Sequence, residues 1–129
     1  EIQKLGIDLK KIHFLNGDEM ILKNLYQNAA LFVYPSLEEG FGIPPLEAMS
    51  QYCPVVASNI VVFKEIFDDA CIYFDPNNIN DISLKIEHIL KNKDNTTKLV
   101  NLGIQRKNFF TWKKCTDKTM KIYEKVLNS

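Results

Sequence analysis

The sequence predicts an α/β fold: a Rossmann-like parallel sheet with helices on both faces, truncated to about four strands and followed by C-terminal helices. Three observations predict it. Short apolar runs alternate with stretches of helical period from Ile12 to Phe74. Those runs are apolar at successive positions, as in strands covered on both faces. After a polar turn the pattern changes, and three further helical stretches follow with no strand between them.

The elements follow in order. Ile12–Leu15 (IHFL) reads as a first strand. Asp18 is placed to cap a helix running to Ala30, with Ile21, Leu22, Leu25, Ala29 and Ala30 on one face. Leu31–Tyr34 is a second strand, ended by Pro35. Pro45–Gln51 is a short helix, Pro54–Ala57 a third strand, and Val61–Phe67 another short helix. Cys71–Phe74 is a fourth strand, and Asp75-Pro76-Asn77-Asn78 is a turn. Asn80 or Asp81 then caps a helix to about Leu90, with Ile82, Ile86, Ile89 and Leu90 facing inward. Lys91–Asn95 is a polar break, and a further helix covers about Thr96 to Asn108. Phe109, Phe110 and Trp112 form an aromatic corner before a last helix that ends near Leu127. Glu1–Leu5 reads as the tail of a helix whose own strand lies upstream. An open sheet of four strands is small for this class, so the chain reads as a piece of a larger protein.

Bulk composition excludes several classes. The 129 residues suffice for one domain, and the 46% apolar and 25% charged shares are those of a soluble globular protein. Sixteen basic residues balance sixteen acidic ones, which argues against a nucleic-acid partner or a strongly basic membrane patch. Lys113, Lys114, Lys118, Lys121 and Lys125 recur near helical spacing and read as a solvated helix face. The cysteines, Cys53, Cys71 and Cys115, form no Cys-x-x-Cys pair and have neither His13 nor His88 close by in sequence, so no metal site is expected. They read as reduced thiols, which suits the cytosol. No run approaches a membrane span, and no signal peptide is legible at the start.

The most informative stretch is YPSLEEGFGIPPLEAMS, residues 34–50. Glu39 and Glu47 bracket the turn Gly40-Phe41-Gly42, and Pro44 and Pro45 open the following helix. Strand, glycine turn and helix N-terminus is an arrangement that binds phosphates and sugar hydroxyls through backbone N–H groups. Right-handed crossovers place every strand's C-terminal end on one rim of the sheet, so this turn lies where ligands bind. Taken singly, each residue has a plain alternative. Glu39 reads equally as a solvated loop glutamate, Glu47 as a helix-start glutamate, and the glycines as a tight turn. Two acids also suggest a glycoside hydrolase, but both of these follow one strand and surround one helix start, rather than facing each other across a glycosidic bond.

EEGFGIPPLEAM resembles the signature of the family-4 (group 1) retaining glycosyltransferases of glycosyltransferase B fold, in which two glutamates are separated by seven residues with E-G-F-G at the front, the spacing of Glu39 and Glu47. The likeness extends to NLYQNAALFVYPS (24–36), to PVVASN (54–59), to Glu65 with CIYFDP (71–76), and to the helices that close the chain. It implies the C-terminal, donor-binding domain, with the N-terminal acceptor domain absent, together with two strands and the Arg and Lys that grip the diphosphate. The loss of two strands implies a gap or open edges in the sheet, closed by rearrangement or by a second copy of the chain.

The resemblance implies transfer of a hexose from a nucleoside diphosphate sugar to a glycan or lipid-linked acceptor, with retention. The EGFGIPPLEAM variant is similar to enzymes that use GDP-mannose. It assigns Glu39 to the donor sugar near the reacting carbon, and Gly40, Phe41, Gly42 and Ile43 to the sugar and phosphate. It assigns Glu47 to the ribose, and Asn16 and Gly17 to the base. No metal and no cofactor is implied. The setting it implies is the cytoplasm, at the inner face of the membrane, within cell-surface polysaccharide synthesis. The fragment alone is expected to be inactive. The other function open to the residues is a non-catalytic nucleotide-binding or structural α/β module.

Overall fold

A computed structural model describes residues 5–128. Three parallel strands, β1 (Phe32–Tyr34), β2 (Val55–Ser58) and β3 (Ile72–Phe74), form one sheet in the order β1-β2-β3. Phe32 registers with Val55, and Val56 with Ile72. The helices are α1 (Glu19–Asn28), α2 (Ile43–Ser50), α3 (Val61–Phe67), α4 (Ile79–Lys91), α5 (Lys93–Lys107) and α6 (Trp112–Leu127).

The period-2 geometry of the strands sorts the core into two clusters. Phe32, Tyr34, Val55, Ala57 and Tyr73 face α2 and α3, where Ala48, Met49, Phe63, Ile66 and Phe67 are buried. Leu31, Val33, Val56, Ile72 and Phe74 face the other way, onto Ile82 and Ile89 of α4 and Leu99 of α5. Every residue of β2 is buried. Fully burying one of its valines contributes about 1.5–3 kcal/mol, so a charge at Val55 or Val56 would break the sheet at its centre. Gly103 lets α5 close on α2, since a Cβ there would stand 3.0 Å from Met49 Cγ.

Several sequence expectations need correction. Ile12–Leu15 is no strand. Its backbone is extended at Ile12, but nothing among the described residues pairs with it, and Phe14 and Leu15 are 85% and 58% exposed. Local propensity supplies the conformation, and a strand also needs a ladder partner. The sheet therefore has three contiguous strands among the described residues, with no internal gap. In α1 the Asp18 cap is as expected, its carboxylate accepting from the N–H groups of Met20 and Ile21 at 3.0 Å each. The inward face is not as expected: Ile21, Leu22 and Leu25 are exposed and Tyr26 is the buried residue. In α4 Ile89 is buried while Leu90 is exposed. Helix α6 is exposed along its length, apolar positions included. The helix tail read at Glu1–Leu5 lies almost wholly outside the described residues.

Candidate functional site

Since all strands are parallel, their C-terminal ends share one rim. Tyr34 ends β1, and residues 35–42 carry the chain from there to α2. Helix α2 begins at Ile43, two residues earlier than expected, so Pro44 and Pro45 fall in its first turn. Proline is tolerated there because first-turn N–H groups have no helical acceptor. Glu47 therefore follows the first turn instead of lying within it, a correction to its expected place.

Gly42 is the N-cap of α2, with φ +103°. A Cβ there would stand 2.7 Å from Phe67 Cζ and 3.0 Å from Phe63 Cε1. The glycine is thus demanded by the fold itself. Gly40 differs: its φ is not positive, and a Cβ on it would meet nothing within 4 Å. Among the described residues, the backbone N–H groups of Gly40, Phe41, Gly42 and Ile43 donate to no protein acceptor. Orphan donors at a helix N-terminus are a place for oxygen acceptors of a ligand.

The Glu39 carboxylate is half-buried and held from below. Tyr34 Oη donates to Glu39 Oε1 at 2.5 Å. The Tyr34 ring is itself wedged between Phe32 and Phe63, with centroids 5.8 and 5.6 Å away. That hydrogen bond, then burial and the Glu39 charge, push the Tyr34 phenol up to about 12. One Glu39 oxygen is engaged with Tyr34, which leaves the other for a ligand hydroxyl. Glu38, its neighbour, is exposed.

Glu47 is exposed and lines an apolar groove of about 630 Å³ between α2 and the start of α6. Phe41, Ile43, Phe110 and Trp112 line the same groove, with Lys107, Lys114 and Lys118 at its margins. The two acids are not in contact with each other, but they reach one aromatic neighbourhood. Burial, then the charge of Glu47, raises the Tyr26 phenol. Tyr26 packs edge-on to Phe32 at 5.2 Å, and Phe32 stacks on Tyr34, which holds Glu39.

Phe41 is packed against the protein: its ring meets Phe110 edge-to-face at 5.3 Å. Asn16 and Gly17 are exposed and lead into α1, and among the described residues neither is hydrogen-bonded to the turn. Sequence reasoning missed the supporting residues Tyr34, Arg106 and Phe110. The signal for Tyr34 was its place at the last position of the strand. For Phe110 it was the aromatic corner, and for Arg106 its place three residues before that corner. Among the described residues no three His, Cys, Asp or Glu side chains gather to hold a metal. Cys53 and Cys71 are buried free thiols; burial pushes Cys53 up to about 11 and Cys71 higher still, so both are inert near neutrality.

The family model described as "Glycosyl transferases group 1" matches residues 1–106. The chain belongs to the group 1 glycosyl transferases. Among relatives of this group 1 chain, the O-antigen chain mannosyltransferase B of Escherichia coli is 40% identical over 103 residues, covering 80% of this chain and 27% of that protein. The O-antigen chain mannosyltransferase RfbU of Salmonella typhimurium is 43% identical over 79 residues, covering 58% of this chain and 22% of that protein. The chain thus spans about a quarter of the length of these relatives. In fold it matches a sucrose-phosphate synthase of Thermosynechococcus elongatus with a TM-score of 0.87 at 23% identity, over 98% of this chain and 33% of that one. That likeness supports the glycosyltransferase B fold expected from the motif.

Proposed function

We propose that the polypeptide containing this chain transfers mannose from GDP-mannose to an acceptor hydroxyl with retention, and that this chain supplies the donor-binding part. One observation carries the reading: four orphan N–H groups at residues 40–43, between Glu39 and Glu47, at the C-terminal rim of a parallel sheet. Backbone donors there suit the distal phosphate and the sugar hydroxyls. The free oxygen of Glu39 accepts from a sugar hydroxyl, and its charge stabilises the positive charge that develops at the anomeric carbon. Glu47 takes the ribose hydroxyls, and Asn16 and Gly17 the base. Close approach of the donor accounts for the open space over Gly40, which none of the described residues fills.

Mannose as the sugar, and a glycan chain, free or lipid-linked, as the acceptor, are proposed for this chain; mannose and the chain go with the names of the two O-antigen relatives. The acceptor is held by parts of the polypeptide outside this chain, and transfer occurs at the cytoplasmic face of the membrane. Among the described residues no helix is long and apolar enough to cross a membrane.

The test titrates GDP-mannose, GDP and UDP-glucose against the complete polypeptide and follows product stereochemistry by proton NMR. GDP-mannose is expected to bind and to turn over with retention. Glu39→Gln is expected to cut kcat by about 10²–10³-fold, the usual loss when a transition-state contact is removed. Glu47→Gln is expected chiefly to raise KM. Full turnover by both folded variants would refute the assignment.

A further inference from the structure

We propose that Arg106 is a positioning residue for the donor turn: its guanidinium clamps the two aromatic walls between which Phe41 and Gly42 run. The proposal rests on the donor-site reading above. Arg106 lies near the end of α5, and its side chain is 22% exposed. Its Nε donates to the carbonyl of Ile66 at 2.7 Å, and its Nη2 donates to that of Glu65 at 2.5 Å. Both carbonyls belong to the last turn of α3, where helical acceptors lack helical donors and a cation is favoured.

The same guanidinium carbon stands 5.4 Å from the Phe110 ring centroid and 5.5 Å from that of Phe109. Phe110 in turn meets Phe41 edge-to-face. On the other side, Phe63 and Phe67 of α3 are the rings that fill the space beside Gly42. A single side chain therefore fixes both neighbours of the turn, through its N–H groups to α3 and through its charge over the Phe110 ring. Lysine offers one point charge and no plane, so it cannot make both contacts. The nearby Asp68 carboxylate, 4.0 Å from Nη1, is mostly exposed and adds little.

A merely structural Arg106 would tie α3 to α5 and change stability alone. The experiment therefore reads the turn directly, in the complete polypeptide without ligand. Chymotrypsin cleaves after Phe41, in the turn, and after Phe74, at 1% exposure in the core. The ratio of the two rates separates local opening from global unfolding. Arg106→Gln, Arg106→Lys and Phe110→Leu are each expected to raise that ratio about three- to ten-fold, the equilibrium equivalent of one aromatic or cation–π contact. Phe110→Leu leaves the Arg106 bonds to α3 in place, so it decides the matter even if the Arg106 variants fold poorly. A parallel kinetic readout is donor KM, expected to rise by a similar factor with kcat nearly unchanged. An unchanged ratio, or full rescue by lysine, overturns the proposal. If the wild type neither binds nor turns over a nucleotide sugar, the donor reading fails, while the cleavage ratio still decides whether Arg106 holds the turn.

Discussion

The two glycines of the turn make opposite predictions. Gly42→Ala places a methyl carbon 2.7 Å from Phe67 Cζ and 3.0 Å from Phe63 Cε1, on a backbone with φ +103°. The backbone strain costs about 1–2 kcal/mol. Forcing a carbon into two packed rings costs a further 1–3 kcal/mol or so. Phe63 and Phe67 are fully buried and cannot swing aside. The sum, about 2–5 kcal/mol, is a large part of an ordinary domain's 5–15 kcal/mol or so. Gly40→Ala meets open space with no positive φ, so it is expected to be neutral or to stabilise by about 0.4–1 kcal/mol through the unfolded chain. It is also expected to weaken donor binding, since the added methyl stands where the donor approaches. Urea unfolding followed by circular dichroism gives the stabilities, and calorimetric titration with GDP-mannose gives the affinities. A Gly42→Ala variant within about 0.5 kcal/mol of wild type, the range of an ordinary surface change, would refute the packing argument. An affinity unchanged by Gly40→Ala would refute the approach of ligand over that residue.

Further outcomes follow from single contacts. Tyr34→Phe removes the donor to Glu39 and is expected to cost about 1.5–3 kcal/mol, less whatever water recovers at this half-buried site; kcat should fall with it, because Glu39 loses its orientation. The folded Tyr34 phenol titrates near 12 against an ordinary 10, so its contribution is complete below pH 10 and lost as the pH rises through 12; ultraviolet titration of tyrosinate should lose one late step in Tyr34→Phe. Ser58 Oγ is buried without a hydrogen-bond partner among the described residues, so Ser58→Ala is expected to leave stability unchanged or raise it by about 1 kcal/mol in urea unfolding. Asp18→Ala removes the α1 cap and is expected to cost about 1 kcal/mol by the same measurement.

Much of the fold was legible, for a physical reason that also marks where reading failed. The three strands of the sheet are apolar at successive positions because each is flanked by helices. Ile12–Leu15 is apolar apart from His13 and forms no strand, since pairing depends on a neighbour that composition does not report. The same limit explains α1. Its Ile21, Leu22 and Leu25 keep helical spacing yet stay exposed beside Asn24, Asn28 and Phe32, while the one residue turned into the core, Tyr26, carries a hydroxyl. A hydrophobic stripe records which face avoids water, but not whether another element covers it.

The site was legible at the level of the turn, because glycine, proline and glutamate each leave a chemical mark in sequence. What supports the turn left no such mark. Tyr34 reads as strand, Phe110 as an aromatic corner and Arg106 as the end of a helix, and only their meeting in space gives them a role. The same distance separates the two glycines. In sequence they are equivalent members of one G-x-G. In space Gly42 answers to Phe63 and Phe67, whereas a Cβ on Gly40 would meet none of the described residues within 4 Å. On the proposed reading a glycine that no described side chain requires is the better guide to a ligand, and Gly40 sits between the half-buried carboxylate of Glu39 and N–H groups that are unpartnered among the described residues.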